Sequence, residues 1–289
     1  MMPVASSGTE GTRLALQPIM TNDPRFHVQI VPTERITPFE ATLVADDNSL
    51  AATDRNLIRN PFLVTPLDPD QFLLLEEAPR LAAVVASGIR QVPVQLCRPD
   101  DFRILVEPQA LFGIDRASLT QIVERAAGLV IFAEESRPLP EHFLPVVIDF
   151  SDGTQQALGV LRSEATGYVE GLRYLLTAID SVGRFAPYLN SWSGGEPLVK
   201  TSTADAVLFP PAVNLADLAE AARDNRLFPA GLVRIEADSR ILAIDFPASV
   251  LLADLPIDQK TAFLHDLIAL RRQTNKTAIV QGRVYILNL

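Results

Sequence analysis

Cysteine is almost absent from this chain: Cys97 is the only one in 289 residues. No intramolecular disulfide can form, so a reducing compartment is the default expectation and covalent staples contribute nothing to stability. Histidine is nearly as scarce. His27, His142 and His265 are far apart and show no ligand spacing, so neither a metal site nor a nucleophilic triad is indicated. The G-x-G-x-x-G, Walker and C-x-x-C patterns are missing, and Ser193–Gly195 lacks the strand–turn–helix context of a nucleophile elbow. Basic runs are also missing. With a formal charge of −10, the chain is a poor general nucleic-acid binder, because phosphate contacts need clustered Lys and Arg. No window approaches the roughly 18 uninterrupted apolar residues of a membrane span. The start, M-M-P-V-A-S-S-G-T-E-G-T, has no basic n-region or apolar h-region. The expectation is a soluble cytoplasmic protein, bacterial in style, with no membrane partner.

What is present is a folded composition, with 48% hydrophobic residues, and 22 prolines that imply many short elements joined by fixed turns. Residues 1–24 are small, polar and aperiodic, and read as a flexible arm. His27–Val31 reads as a strand, and Ile36–Glu40 leads into a helical stretch reaching about Arg55. Phe62–Leu67 and Gln71–Leu75 are strands around a D-P-D turn. Pro79–Ser87 is an alanine-rich helix with Pro79 near its first position and Gly88 as C-cap. Val92–Leu96 and Phe102–Val106 are apolar strands. Cys97, just after the first of these, reads as a buried thiol.

Beyond them, Ser118–Ala127 looks helical, with Ser118 as cap. Phe143–Phe150 and Gln155–Leu161 flank the hairpin signal S-D-G-T. Thr166–Val182 carries apolar residues at helical spacing. S-W-S-G-G-E-P, around Trp192, is a loop. Asn214 caps a helix to about Asn225, Leu232–Glu236 and Ile241–Phe246 read as a strand pair around A-D-S-R, and Asp258–Arg272 is amphipathic. The chain closes on two strands across Gln281–Gly282. The mixed order of hairpins and strand–helix–strand units points to an α/β protein, in the α+β sense, with a mixed sheet.

Three constellations carry candidate chemistry. The loop Glu76–Arg80 precedes a helix N-terminus, where free N–H groups and the dipole suit phosphate. Two carboxylates already complement that dipole, and Pro79 offers no N–H, so a naked triphosphate is repelled unless Mg²⁺ bridges it. Simple acidic capping of a structural helix explains the same residues. Glu40, in T-P-F-E, is a lone carboxylate that spacing alone reads as a solvated helix start. Arg226, Arg234 and Arg240 could gather around an anion, or pair with Glu236, Asp238 and Asp245.

Taken together, I-T-P-F-E (36–40), R-N-P-F-L-V-T-P-L (59–67), F-L-L-L-E-E-A-P-R-L-A-A-V (72–84) and G-I-R-Q-V-P-V-Q-L (88–96) resemble the ParB/sulfiredoxin-like superfamily. L-F-P-P-A-V (208–213), the stretch 214–235 and S-R-I-L-A-I-D-F-P-A-S-V-L (239–251) resemble the C-terminal portion of its free-serine kinase branch. The resemblance implies a ParB/sulfiredoxin-like domain over 25–108, an unassigned α/β insertion over 109–207, and a kinase-like α/β segment over 208–289 packing on the first domain. It also implies transfer of a nucleotide phosphate to free L-serine, with Glu40 at the position of the base. Glu76 stands at the position of a metal- and nucleotide-assisting acid, and Arg80 and Arg234 remain as phosphate contacts.

The branch's D-G-H-H-R loop reads E-E-A-P-R here, and its F-P-P-K-T-T-R-H pattern reads F-P-A-G-L-V-R-I. Gly231, Leu232 and Val233 replace a lysine and two threonine hydroxyls. Losing several charge-assisted contacts, each worth ~1.5–3 kcal/mol, lowers nucleotide affinity by orders of magnitude. The leading expectation is therefore a non-catalytic descendant, a pseudoenzyme that binds a small ligand or a protein partner in a regulatory role. The alternative is an active kinase of a small amino-acid-like hydroxyl substrate, using Glu40 as base and Mg-ADP or Mg-ATP as cofactor. A ParB-like DNA-binding or nuclease activity is disfavoured by the charge.

Overall fold

The computed structural model describes residues 27–41, 56–126, 129–132, 143–161, 167–187, 204–274, 276 and 278–281. The arm at 1–24, the stretch expected to be helical up to Arg55, the loop around Trp192 and the chain beyond Gln281 lie outside these residues.

The first sheet has five strands in the spatial order His27–Pro32, Gln91–Leu96, Phe62–Asp68, Gln71–Leu74, Ile36–Pro38. It is mixed. Phe62–Asp68 runs parallel to Gln91–Leu96 and antiparallel to Gln71–Leu74, while Ile36–Pro38 runs parallel to Gln71–Leu74. The helix Ala78–Ala86 supplies the crossover, and Gly88 leaves it at φ +88°, which suits glycine. The continuous apolar run F-L-V is buried on both sides, as a strand covered on both faces must be. Phe62 and Val64 join one core with Leu74, Leu81, Val84 and Leu264. Leu63, with Leu73 and Leu75, joins a second core with Phe39 and Phe228.

The exposed edge of this sheet is closed by the helix Ile257–Gln273. Thr261 Oγ1 accepts the outward N–H of Ile30 at 3.2 Å, and His265 Nε2 lies 2.7 Å from the Val28 carbonyl oxygen. Residues four apart on a helix lie on one face, and the outward groups of Val28 and Ile30 point the same way, so one helix face satisfies both and blunts the edge. Lys260, 3% exposed on the same helix, donates to Gln91 Oε1 at 2.9 Å and to the Leu251 carbonyl at 2.8 Å. Pro93 pairs with Ile30 before the ladder to Phe62–Asp68 begins at Val94, so its missing N–H interrupts nothing.

A second, wholly antiparallel sheet has the order Arg184–Pro187, Gln109–Phe112, Ala206–Phe209, Phe143–Phe150, Gln155–Leu161, Leu129–Phe132. The expected hairpin turn is present, with Gly153 at φ +80°. The helices Arg116–Glu124 and Gly167–Val182 pack against it. Gly171 sits where an added Cβ would strike the Val160 side chain, so its absence lets helix and sheet approach. The first of these helices begins two residues earlier than expected. Its cap is Asp115, whose Oδ1 accepts the Ser118 N–H at 2.7 Å, and Ser118 donates rather than caps.

The strand pair expected around A-D-S-R does not form. Val233–Ala237 pairs with Phe102–Val106, and Ser239–Leu242 pairs with Ala278–Gln281. The buried Gln95 side chain explains part of this: its amide donates to Ser239 O at 3.0 Å and accepts from Ile241 N at 2.9 Å, occupying one backbone edge. Positive φ at Ala243 (+56°) and Asp245 (+44°) then ends the expected strand early. Asn214 does cap Leu215–Arg223, in a capping box with Asp217. The result, among the described residues, is a mixed α/β architecture with a five-stranded sheet, a six-stranded sheet and three two-stranded ones. No described helix is long and apolar enough to cross a membrane.

Candidate functional site

Two parallel strands, Ile36–Pro38 and Gln71–Leu74, end at the same edge of the first sheet. Pro38 pairs with Leu74, and Glu40 and Glu76 each stand two residues beyond that pair. Ligands of open α/β sheets bind beyond such carboxyl ends.

Glu40 is brought there by backbone pairing with the C-terminal segment. It forms an isolated parallel bridge with Phe228. The Ala41 N–H donates to Phe228 O and the Phe228 N–H donates to Phe39 O, both at 2.8 Å. The fully buried rings of Phe39 and Phe228 meet edge to face at 6.4 Å. The chain then turns at Gly231 (φ +74°), whose N–H donates to Glu40 Oε2 at 3.4 Å. Burial pushes the Glu40 carboxyl up, and the Gly231 N–H opposes that shift. The folded state therefore holds this proton above the pH at which the unfolded chain releases it. The associated stability is fully present below the ordinary carboxyl range and is lost as pH rises through the raised folded value. Glu40→Gln should accordingly raise the thermal midpoint at pH 7 and remove part of the decline between pH 5 and pH 7. A midpoint lowered at pH 7 would show the carboxylate to be stabilising instead.

The loop after Leu74 places two carboxylates against two arginines. Glu77 occupies the N-cap of Ala78–Ala86 in the left-handed region (φ +62°, ψ +36°), yet its side chain makes no capping bond. Its Oε2 instead lies 2.5 Å from Arg80 NH2. Arg80 NH1 donates to Asn60 O at 3.0 Å, and the guanidinium stacks on the Phe62 ring at 3.8 Å. Burial raises the Glu77 carboxyl and lowers the Arg80 guanidinium, and the charge of each partner opposes both shifts. Glu76 is paired with Arg240, which is 8% exposed and pushed down to about 10 by burial.

Arg234 has its Nε 2.5 Å from Glu107 Oε1 and its NH2 3.3 Å from Glu236 Oε1. Arg226 lies 3.8 Å from Asp224, and Asp245 takes Arg271 at 2.9 Å. Arg226, Arg234 and Arg240 thus have separate partners, and of the expected acids Glu236 lies on Arg234 while Asp245 takes Arg271. Glu40 lies on the 228–231 turn, while Glu76 lies on Arg240. Among the described residues no three His, Cys, Asp or Glu side chains gather to hold a metal ion. Glu76 on Arg240 and Pro79 without an N–H are a poor fit to a Mg-nucleotide.

Sequence reasoning missed Asn60, Glu77, Glu107 and Gly231 as neighbours of these groups. The three-residue spacing of Glu77 and Arg80 was a usable signal. Glu107 meets Arg234 only because distant strands pair, and no local spacing announces it. Cys97 is buried, and its thiol is pushed up to about 12 by burial and then by Asp101, so it is not a reactive nucleophile.

The chain matches no family model and no curated protein. It is similar in structure to C-terminally truncated SbnI from Staphylococcus aureus, with a TM-score of 0.64 and 19% identity, over 84% of this chain and 97% of that one. A free serine kinase in complex with AMP aligns with a TM-score of 0.57 and 12% identity, over 78% of this chain and 94% of that one. A conserved hypothetical protein from Pyrococcus furiosus aligns with a TM-score of 0.50 and 13% identity, over 74% and 92% of the two chains. At these identities the likeness is one of fold, and the fold is ParB/sulfiredoxin-like.

Proposed function

We propose that this chain is a non-catalytic relative of the free serine kinases, binding a small ligand or a partner protein in a regulatory role. The observation that carries the reading is the internal pairing of its candidate phosphate-binding cations. Arg80 is held by Glu77, Arg234 by Glu107 and Glu236, and Arg240 by Glu76. A phosphate entering here would have to displace a carboxylate already desolvated with its arginine, and would bring further negative charge to Glu40 and Glu76. Where the chain binds a small molecule, the paired Glu40 carboxylate and Gly231 N–H favour a group that both donates and accepts, such as a hydroxyl beside an amine.

One observation favours retained chemistry: Glu40 is half-buried with its carboxyl pushed up, the property wanted in a general base. Incubation of the protein with Mg²⁺, ADP or ATP and L-serine separates the two readings. No O-phosphoserine is expected. Product that disappears in Glu40→Ala would overturn the non-catalytic reading and establish the kinase one.

A further inference from the structure

We infer that the outer face of the six-stranded sheet is a docking surface for a second copy of this chain, sheet against sheet across a two-fold axis. This surface is separate from the carboxylate site and stands whether or not that site is catalytic.

Side chains alternate between the two faces of a strand. Along Phe143–Phe150, Val146 and Ile148 enter the large core with Leu158 and Leu208. Pro145 and Val147 fall on the opposite face, where an antiparallel sheet that meets water usually carries polar residues. The register puts apolar residues there instead. Val147 stands between Phe209 and Ala157, and Phe132 follows beside Ala157. The next row is Pro145, Gly159 and Val130. Neither row carries a polar side chain, yet Phe209 is 37% exposed and Val130 39%. Open apolar surface of this kind marks an interaction site. An added Cβ at Gly159 would strike the rings of Phe132 and Phe143, which meet edge to face at 5.3 Å. The glycine thus lets both rings lie close against the sheet, which suits a second sheet packed face to face at about 10 Å.

Width and charge favour a second copy as the occupant. One extended segment covers a strip about 5 Å wide, whereas six strands at about 4.8 Å spacing span roughly 29 Å. With strands of four to eight residues, the face offers on the order of 400–600 Å² per copy, against the about 1,000 Å² in total that a specific interface needs. The chain carries a formal charge of −10, but the two central rows are uncharged. Asp149 and Arg184, the latter 4.9 Å from the Phe112 ring, bring both signs to the rim. The same patch can therefore meet its copy with no like charges at the centre, as an isologous two-fold contact requires.

Sedimentation velocity of the full chain over micromolar concentrations tests this. Wild type should approach twice the 31.6 kDa chain mass as concentration rises. Val130→Lys/Phe209→Lys sets cations on the facing patches of both copies and should hold the protein at 31.6 kDa, with a wild-type circular dichroism spectrum. A wild type that stays at the single-chain mass overturns the inference, whether a segment of its own chain or a different protein covers the face. So does a lysine variant that still dimerises. Should that variant not fold, Val130→Thr/Phe209→Thr keeps strand-forming side chains at both positions. Each substitution is repeated on both copies, so a dissociation constant raised more than about tenfold supports the inference, and a smaller change overturns it.

Discussion

Replacing Arg80 by methionine is expected to lower the unfolding free energy by about 3–5 kcal/mol, the cost of stranding one partner of a buried ion pair. The variant leaves the desolvated Glu77 carboxylate without its cation, removes the bond to Asn60 O and uncovers the Phe62 ring. Urea unfolding at an unchanged m value measures it. Much of the loss belongs to the orphaned carboxylate, so Glu77→Gly/Arg80→Met should be more stable than Arg80→Met alone. The coupling between two residues in contact is typically about 0.5–3 kcal/mol. A loss under ~1 kcal/mol for Arg80→Met would place the pair among the weak surface bridges and remove the physical basis for a closed site.

Phe228→Ala should cost about 3–5 kcal/mol through the cavity it leaves. Phe228 is fully buried, meets Phe39 edge to face, and its backbone is the bridge partner of Glu40. The same substitution loosens the turn that brings Gly231 to the carboxylate and lets water reach it. The raised Glu40 value should then relax toward the ordinary carboxyl range. Stability should vary less between pH 5 and pH 7 than in wild type, by the sign worked out for Glu40→Gln. A variant of undiminished stability, or one with the wild-type pH slope, would show that the two aromatic rings do not hold this part of the site.

The parts of the fold that could be read from the sequence are those set by local chemistry. The D-P-D and S-D-G-T turns, the C-cap Gly88 and the capping residue Asn214 act within a few residues, and each lies where it was expected. The apolar run Phe62–Leu67 announced a buried strand because a strand with two covered faces needs no polar alternation. Reading failed where a distant group competes for the backbone. The pair around A-D-S-R looked local, but Gln95, far away in sequence, takes the hydrogen bonds of Ser239 and Ile241. Ser118 looked like a cap, and Asp115 three residues before it is the better acceptor.

The candidate site divides along the same line. Glu40, Glu76, Arg80 and Arg234 were named from motif resemblance, and the turn at Phe228–Gly231 does come to Glu40. The Glu77–Arg80 pair is local, whereas the meeting of Arg234 with Glu107 depends on the register between the strands Phe102–Val106 and Val233–Ala237. The surplus of acids was visible as a formal charge of −10, whereas its placement was not.

The central claim is that these arginines are already matched and therefore do not hold a nucleotide. Isothermal titration of the full chain with ADP, in the presence and absence of Mg²⁺ and L-serine, tests it most directly. The account predicts no binding heat at any of these combinations and no thermal stabilisation by the nucleotide. Micromolar, Mg²⁺-dependent binding that is lost in Arg80→Met or Arg234→Met would contradict it and restore a nucleotide site to this fold.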